Sequence, residues 1–183
     1  MSAYGESIEL ATASAFARLE GAGVRPEPLA ELVPERRVML VKRAATMRRL
    51  GEVWRLGVLL LTAPATDPAT APLPPLFAAG RTTRSAARPY PGNQSISREE
   101  RRDIAAAALR GGFSEGSSVH FDATTIPLNE EALRALGPDH PLGVHGDGLR
   151  VRWRSGASLE SAPTLGAYLD ERVELLVHPP EGA

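Results

Sequence analysis

The order of apolar and polar positions divides the chain into helical and extended stretches. From Glu6 to Glu20, Ile8, Ala11, Ala15, Phe16 and Leu19 fall near one face of a helix, and Gly21 and Gly23 close it where a left-handed cap costs little. A short second helix is expected over Pro28 to Val33. From Arg36 the pattern changes: RVMLVKRAA and VWRLGVLLLT are rich in valine and leucine, carry few helix caps and read as strands. In the second of them Trp54, Leu56, Val58 and Leu60 alternate with Val53, Leu59 and Leu61. Both faces are apolar, so this strand is expected in the middle of a sheet.

The segment Ala63 to Pro75 holds five prolines in 13 residues and reads as an exposed loop joining two strands, the next being LFAAGRTTR. A loop containing Pro91 and Gly92 then enters a helix at about 98–110, closed by Gly111 and Gly112. SSVHFDATTIPL alternates like a strand, NEEALRALG reads as a short helix capped by Asn129, and HPLGVHGDGLRVRWR reads as a hairpin turning at Gly146-Asp147-Gly148. Leu165 to Glu171 is expected to be helical, and RVELLVHP to be a closing strand. No internal repeat is present. The expected fold is a single α+β domain over 1–183 with a largely antiparallel sheet, N-terminal helices and one long central helix.

Composition narrows the chemistry. At 183 residues and 43% hydrophobic content the chain can bury a substantial core unaided. The absence of cysteine excludes disulfides, thiolate nucleophiles and Cys-ligated metal centres. The N-terminal stretch carries Glu6 and Glu9 without a basic region, unlike a secretory signal, and the longest apolar run, Ile104 to Leu109, is far short of a membrane span. A cytosolic location is expected. Twenty of the 21 basic residues are arginine, Lys42 being the only lysine, which with the alanine and proline content looks like GC-rich coding.

Net charge is −1 but segregated: −4 over 1–35, +9 over 36–110 and −6 over 111–183. A basic middle between acidic flanks marks either an anion-binding face or strands neutralised by the flanks folding back. The near-neutral total argues against a general nucleic-acid binder, as does an aromatic content of 5%, which leaves the arginine row of LRVRWR without stacking partners.

Ser97 and Glu100 have the spacing of a capping box, which alone explains SREE. The functional reading adds that a helix N-terminus beside Ser95 and Ser97 attracts an anion, although Glu99, Glu100 and Asp103 oppose one. Arg55 stands between apolar neighbours in the strand expected at the sheet centre. A guanidinium there needs an internal carboxylate or a ligand's carboxylate or phosphate, and Arg81 and Arg84 on the following strand are placed to share the cavity. In VHFDATT, alternation puts His120, Asp122 and Thr124 on one face, a candidate acid–base pair beside the plainer reading of a solvated strand. His140, His145 and Asp147 follow without a recognised ligand spacing, and HGDG is explained as a turn. No nucleotide-binding loop, nucleophile elbow or zinc-protease helix is present, so neither cofactor nor metal is expected.

VWRLGVLLL, LFAAGRTTR, REERRDIAAAALRGGF and YLDERVELL together resemble a group of short bacterial proteins sometimes named glutaminase, over most of the chain from Arg36 onward. Serine-dependent glutaminases use a Ser-x-x-Lys pair. Here Lys42 is preceded three positions earlier by Met39, so that mechanism does not carry over. The leading expectation is a domain that holds a small anionic molecule through Arg55, Arg81 and Arg84. An amidohydrolase using His120 and Asp122 is the alternative, and a partner-binding module presenting the proline-rich loop and Tyr90 is the third. Nothing in the pattern sets an oligomeric state.

Overall fold

The computed structural model describes residues 3–38, 41–65, 72–88 and 96–180. In chain order its elements are α1 (Ala3–Gly21), β1 (Glu27–Val33), β2 (Arg36–Val38), β3 (Val41–Arg43), β4 (Thr46–Leu56), β5 (Leu59–Thr62), β6 (Leu76–Ala78) and β7 (Arg81–Arg84). There follow α2 (Ile96–Arg110), β8 (Ser118–Phe121), β9 (Thr124–Thr125), α3 (Glu130–Arg134), β10 (Leu142–His145), β11 (Gly148–Val151) and α4 (Leu165–Val177). The arrangement is α+β with a mostly antiparallel mixed sheet of seven strands; β1 and β8 form its parallel pair.

The sheet order β7-β8-β1-β4-β5-β6-β9 conceals a closure. β6 and β7 are consecutive in the chain, as are β8 and β9, and the two stretches pair with each other at both ends of the list: Phe77 opposite Thr125, and Thr82 opposite His120. Five stretches therefore form a circuit in which each has two neighbours, a small barrel. Both stretches kink where the partners change. Asp122 has φ 56, and a Cβ on Gly80 would overlap the carbonyls of Phe121 and Asp122, so the backbones meet there because residue 80 is glycine.

The core divides accordingly. Leu29, Val53, Leu60 and Phe77 fill the interior. α2 covers one outer flank, with Ile104, Ala107, Ala108 and Phe113 against Ala30, Met47, Val119 and Phe121. α1, α3, α4 and the β10–β11 hairpin cover another, packing Ile8, Leu133, Leu149, Leu169 and Val173 with Trp54, Leu56, Leu59 and Leu61. The β4–β5 ribbon is thus apolar on both faces and central, as its sequence implies.

Several expectations are corrected. The N-terminal helices are one helix, because Pro28–Val33 belongs to β1. Its apolar residues serve both faces, Leu29 inward and Ala30 outward, which blurs strand alternation, and the facing strand bulges by one residue at Leu50. RVMLVKRAA contributes to two short antiparallel strands, β2 and β3, with Met39 and Leu40 outside the described residues. VWRLGVLLLT is two strands, turning at Gly57-Val58 with φ 64 at the glycine alone, the pattern of a II′ turn. RVELLVHP lies within or just beyond α4, whose Leu165, Leu169 and Val173 reach the core at four-residue spacing. In LRVRWR, Leu149 and Val151 face inward along β11, and beyond the strand's end at Val151 Arg152 is buried and Trp153 exposed. The Asn129 cap and the hairpin at Gly146 are as expected. Residues 66–71 of the proline-rich loop and Tyr90 lie outside the described residues.

Candidate functional site at the barrel mouth

Strand pairing dictates which side chains share the barrel interior, because residues directly opposite one another project to the same face. Arg55 stands opposite Leu60, Thr82 opposite His120, and His120 beside Leu29. Glu27 shares the inner face two residues before Leu29. Four polar side chains from four strands are thereby gathered at one end of an apolar interior.

They form one hydrogen-bonded row. Glu27 Oε2 lies 2.6 Å from His120 Nε2, His120 Nδ1 lies 2.9 Å from Thr82 Oγ1, and Arg55 Nη1 donates to that same hydroxyl oxygen at 2.6 Å. His120 is buried (1% exposed), whereas Thr82 and Arg55 are exposed and Glu27 is partly so. With the imidazole neutral the proton positions follow. Placing the ring proton on Nδ1 would set two bare acceptors, Nε2 and the carboxylate, against each other at 2.6 Å. The proton therefore sits on Nε2 and donates to Glu27, and Nδ1 accepts the Thr82 hydroxyl proton. A hydroxyl, an imidazole and a carboxylate in this order are the components of an activated nucleophile.

The residues singled out from the sequence are distributed differently. Arg55 is not threaded through the middle of the sheet: the turn at Gly57 brings it to the end of β4, exposed, with a hydroxyl as its partner. Among the described residues it makes no ion pair. Arg81 points to the outer face, over the ring of Phe121 at 5.1 Å, 3.5 Å from Glu100 and 3.8 Å from Asp122. Arg84 donates to the carbonyl of Gly116 at 3.2 Å. The three arginines do not share a cavity.

His120 and Asp122 do not form a pair. The left-handed backbone at Asp122 interrupts the strand and turns its carboxylate toward Arg81, while both His120 nitrogens have other partners. α2 begins at Ile96, so Ser97 lies in its first turn, and Glu100 reaches Arg81. Ser95 lies outside the described residues. Among those residues no three His, Asp or Glu side chains converge as metal ligands, so His140, His145 and Asp147 make no such centre.

Glu27 and Thr82 escaped sequence reasoning. Glu27 lies between Pro26 and Pro28, and a residue preceding proline is driven to extended backbone; that was the available sign of a strand start. Thr82 carried no signal of its own. At the opposite end of β1, Leu29, Leu50 and Phe77 line an open cavity of about 550 Å³ rimmed by Glu31, Arg48 and Asp122. Glu31 and Arg48 are hydrogen-bonded to each other there.

No family model, curated protein or solved structure matches the chain. No helix among the described residues is long and apolar enough to cross a membrane.

Proposed function

We propose that the barrel mouth binds a small anionic molecule, with Arg55 as the residue that grips it. The observation carrying this reading is that the Arg55 guanidinium is exposed, steadied at one nitrogen by Thr82 and without a carboxylate partner among the described residues. Its remaining N–H groups are available for the forked contact that carboxylates and phosphates accept. Arg81, already flanked by two carboxylates, and Arg84, turned to a backbone carbonyl, take no part.

Thermal denaturation in inorganic phosphate and in short-chain carboxylates tests the reading, since a ligand binding the native form at one hundred times its Kd adds about 2.7 kcal/mol. The wild type is expected to melt higher in at least one anion, and Arg55→Ala to lose the gain with its anion-free melting temperature nearly unchanged. Equal shifts in the two proteins would remove Arg55 from any anion site.

A second reading has its own support. The hydrolytic alternative finds an acid–base residue in His120, oriented by Glu27 in place of Asp122 and joined to an exposed hydroxyl. An amide or ester is the substrate class for that chemistry. Release of carboxylic acid from such substrates, lost in His120→Gln, is the corresponding measurement.

A further inference from the structure

From the geometry we infer that Thr82 is a nucleophile, taking an acyl group from an ester onto its Oγ1; this rests on the hydrolytic reading of His120 and not on anion binding. Three observations converge on that oxygen. With the ring neutral, its proton is directed at a buried imidazole nitrogen 2.9 Å away, and the other nitrogen of that ring is held by a carboxylate at 2.6 Å. Arg55 Nη1 donates to the oxygen at 2.6 Å, which favours the negative charge that grows on it as the proton leaves. Thr82 itself is exposed on a barrel mouth, so an acyl donor has a path to it.

A purely architectural network would favour a buried hydroxyl-bearing residue; here the buried member is the base and the exposed residue is the threonine. The reaction balances without any co-reactant but water. Thr82 Oγ1 attacks the ester carbonyl as its proton passes to His120 Nδ1, and the imidazolium is held by Glu27 at Nε2. The carbonyl oxygen takes up the negative charge within reach of the Arg55 N–H groups that have no partner among the described residues. Collapse breaks the bond to the leaving oxygen, which recovers the proton from Nδ1 and departs as an alcohol, leaving acyl-Thr82. Water, deprotonated by the same nitrogen, then attacks the acyl carbon and releases the acid, restoring the hydroxyl. Small, activated esters are the expected class, because a secondary hydroxyl is a crowded nucleophile.

The test is incubation of the full chain with p-nitrophenyl acetate, followed by peptide mass mapping for acetyl-Thr82 and by the rate of nitrophenolate release. The wild type is expected to carry the adduct on the peptide containing Thr82. Thr82→Val, which keeps the side-chain shape, should lose it, and Thr82→Ser should regain it. His120→Gln should slow acylation by about 10²- to 10⁴-fold, with circular dichroism establishing that each variant is folded. Absence of the adduct from folded wild type, or equal labelling in His120→Gln, overturns the inference. Turnover that survives in Thr82→Val but fails in His120→Gln also overturns it, while leaving His120 as a base acting directly on water. Phosphate stabilisation dependent on Arg55 is scored separately, so the anion reading stands or falls on its own.

Discussion

Glu27 and His120 are 93 positions apart in the chain and meet at 2.6 Å, the carboxylate receiving the imidazole Nε2–H where β1 runs parallel to β8. Removing the acceptor leaves a buried ring N–H without a partner. Because Glu27 is partly solvated, water recovers some of the loss, and Glu27→Ala is expected to lower stability by about 1 kcal/mol. Truncating the buried partner should cost more: His120→Ala also opens a cavity beside Leu29, for a loss of about 2–4 kcal/mol. Urea denaturation of the two variants measures both, and the smaller loss for Glu27→Ala is the decisive outcome.

Tyr168 ties α4 to the β4–β5 turn. Its hydroxyl donates to Leu56 O and accepts from Val58 N, both at 3.1 Å, directly over Gly57. Tyr168→Phe should cost about 1–3 kcal/mol through the unpaired backbone groups. Gly57→Ala places a Cβ against that hydroxyl and a side chain at φ 64, so it should cost at least as much. The double variant relieves the overlap. Its loss in chemical denaturation is therefore expected to be smaller than the sum of the single losses.

His140 makes stability pH-dependent. Burial pushes its imidazole below the ordinary value; the backbone hydrogen bond to Leu142 works the other way, and the nearby Arg152 guanidinium adds to the lowering. Between that lowered value and about 6.5, the reference for an unfolded His, the unfolded chain binds more protons than the native one. The His140 contribution is therefore present above about pH 6.5 and is lost as the pH falls through the folded value. Its Nε2 is buried without a hydrogen-bond partner among the described residues. His140→Leu should flatten the dependence, so the difference in unfolding free energy between pH 8 and pH 5 shrinks relative to wild type. An unchanged difference would assign the acid sensitivity elsewhere.

Gly80→Ala tests the kink. The added Cβ meets the carbonyls of Phe121 and Asp122, which are backbone atoms and cannot rotate aside. A loss of about 2 kcal/mol or more is expected in thermal or chemical denaturation. Hydrogen exchange should rise at the β7–β8 pairing, where Thr82 and His120 face each other.

What the sequence made legible follows the locality of each signal. α1 and α2 carry a helical period and glycine stops, the Asn129 cap spans four residues to Ala132, and the HGDG turn is written in adjacent residues. β1 was obscured because packing on two faces removes alternation: Ala30 meets α2 while Leu29 fills the barrel. The second half of α4 was obscured because Leu175 and Leu176 are exposed, so their apolarity imitated a strand. At the site, His120 could be seen as a candidate, yet its partner could not. Glu27 reaches it only through a parallel pairing that no local pattern encodes. Arg55 drew notice through its apolar neighbours, but its position depended on one turn: with Gly57 unread as a hairpin, the residue looked central instead of terminal.

The circuit formed by β1, β4, β5, β6–β7 and β8–β9 bears on how the molecule behaves in a crowd. Each member has a strand neighbour on both sides over part of its length, β4 pairing with β1 along Thr46–Val53 and with β5 along Val53–Leu56, and a foreign strand finds no edge where both neighbours are present. Open borders among the described residues lie along the Thr46–Glu52 part of β4, which pairs with β1 alone, and on the short ribbons, where Arg150 on β11 is partly occupied by its bridge to Thr164. Protection from strand-by-strand polymerisation is thus confined to the doubly paired lengths, and it shrinks further if β1 peels away from β8, one of the contacts that close the ring.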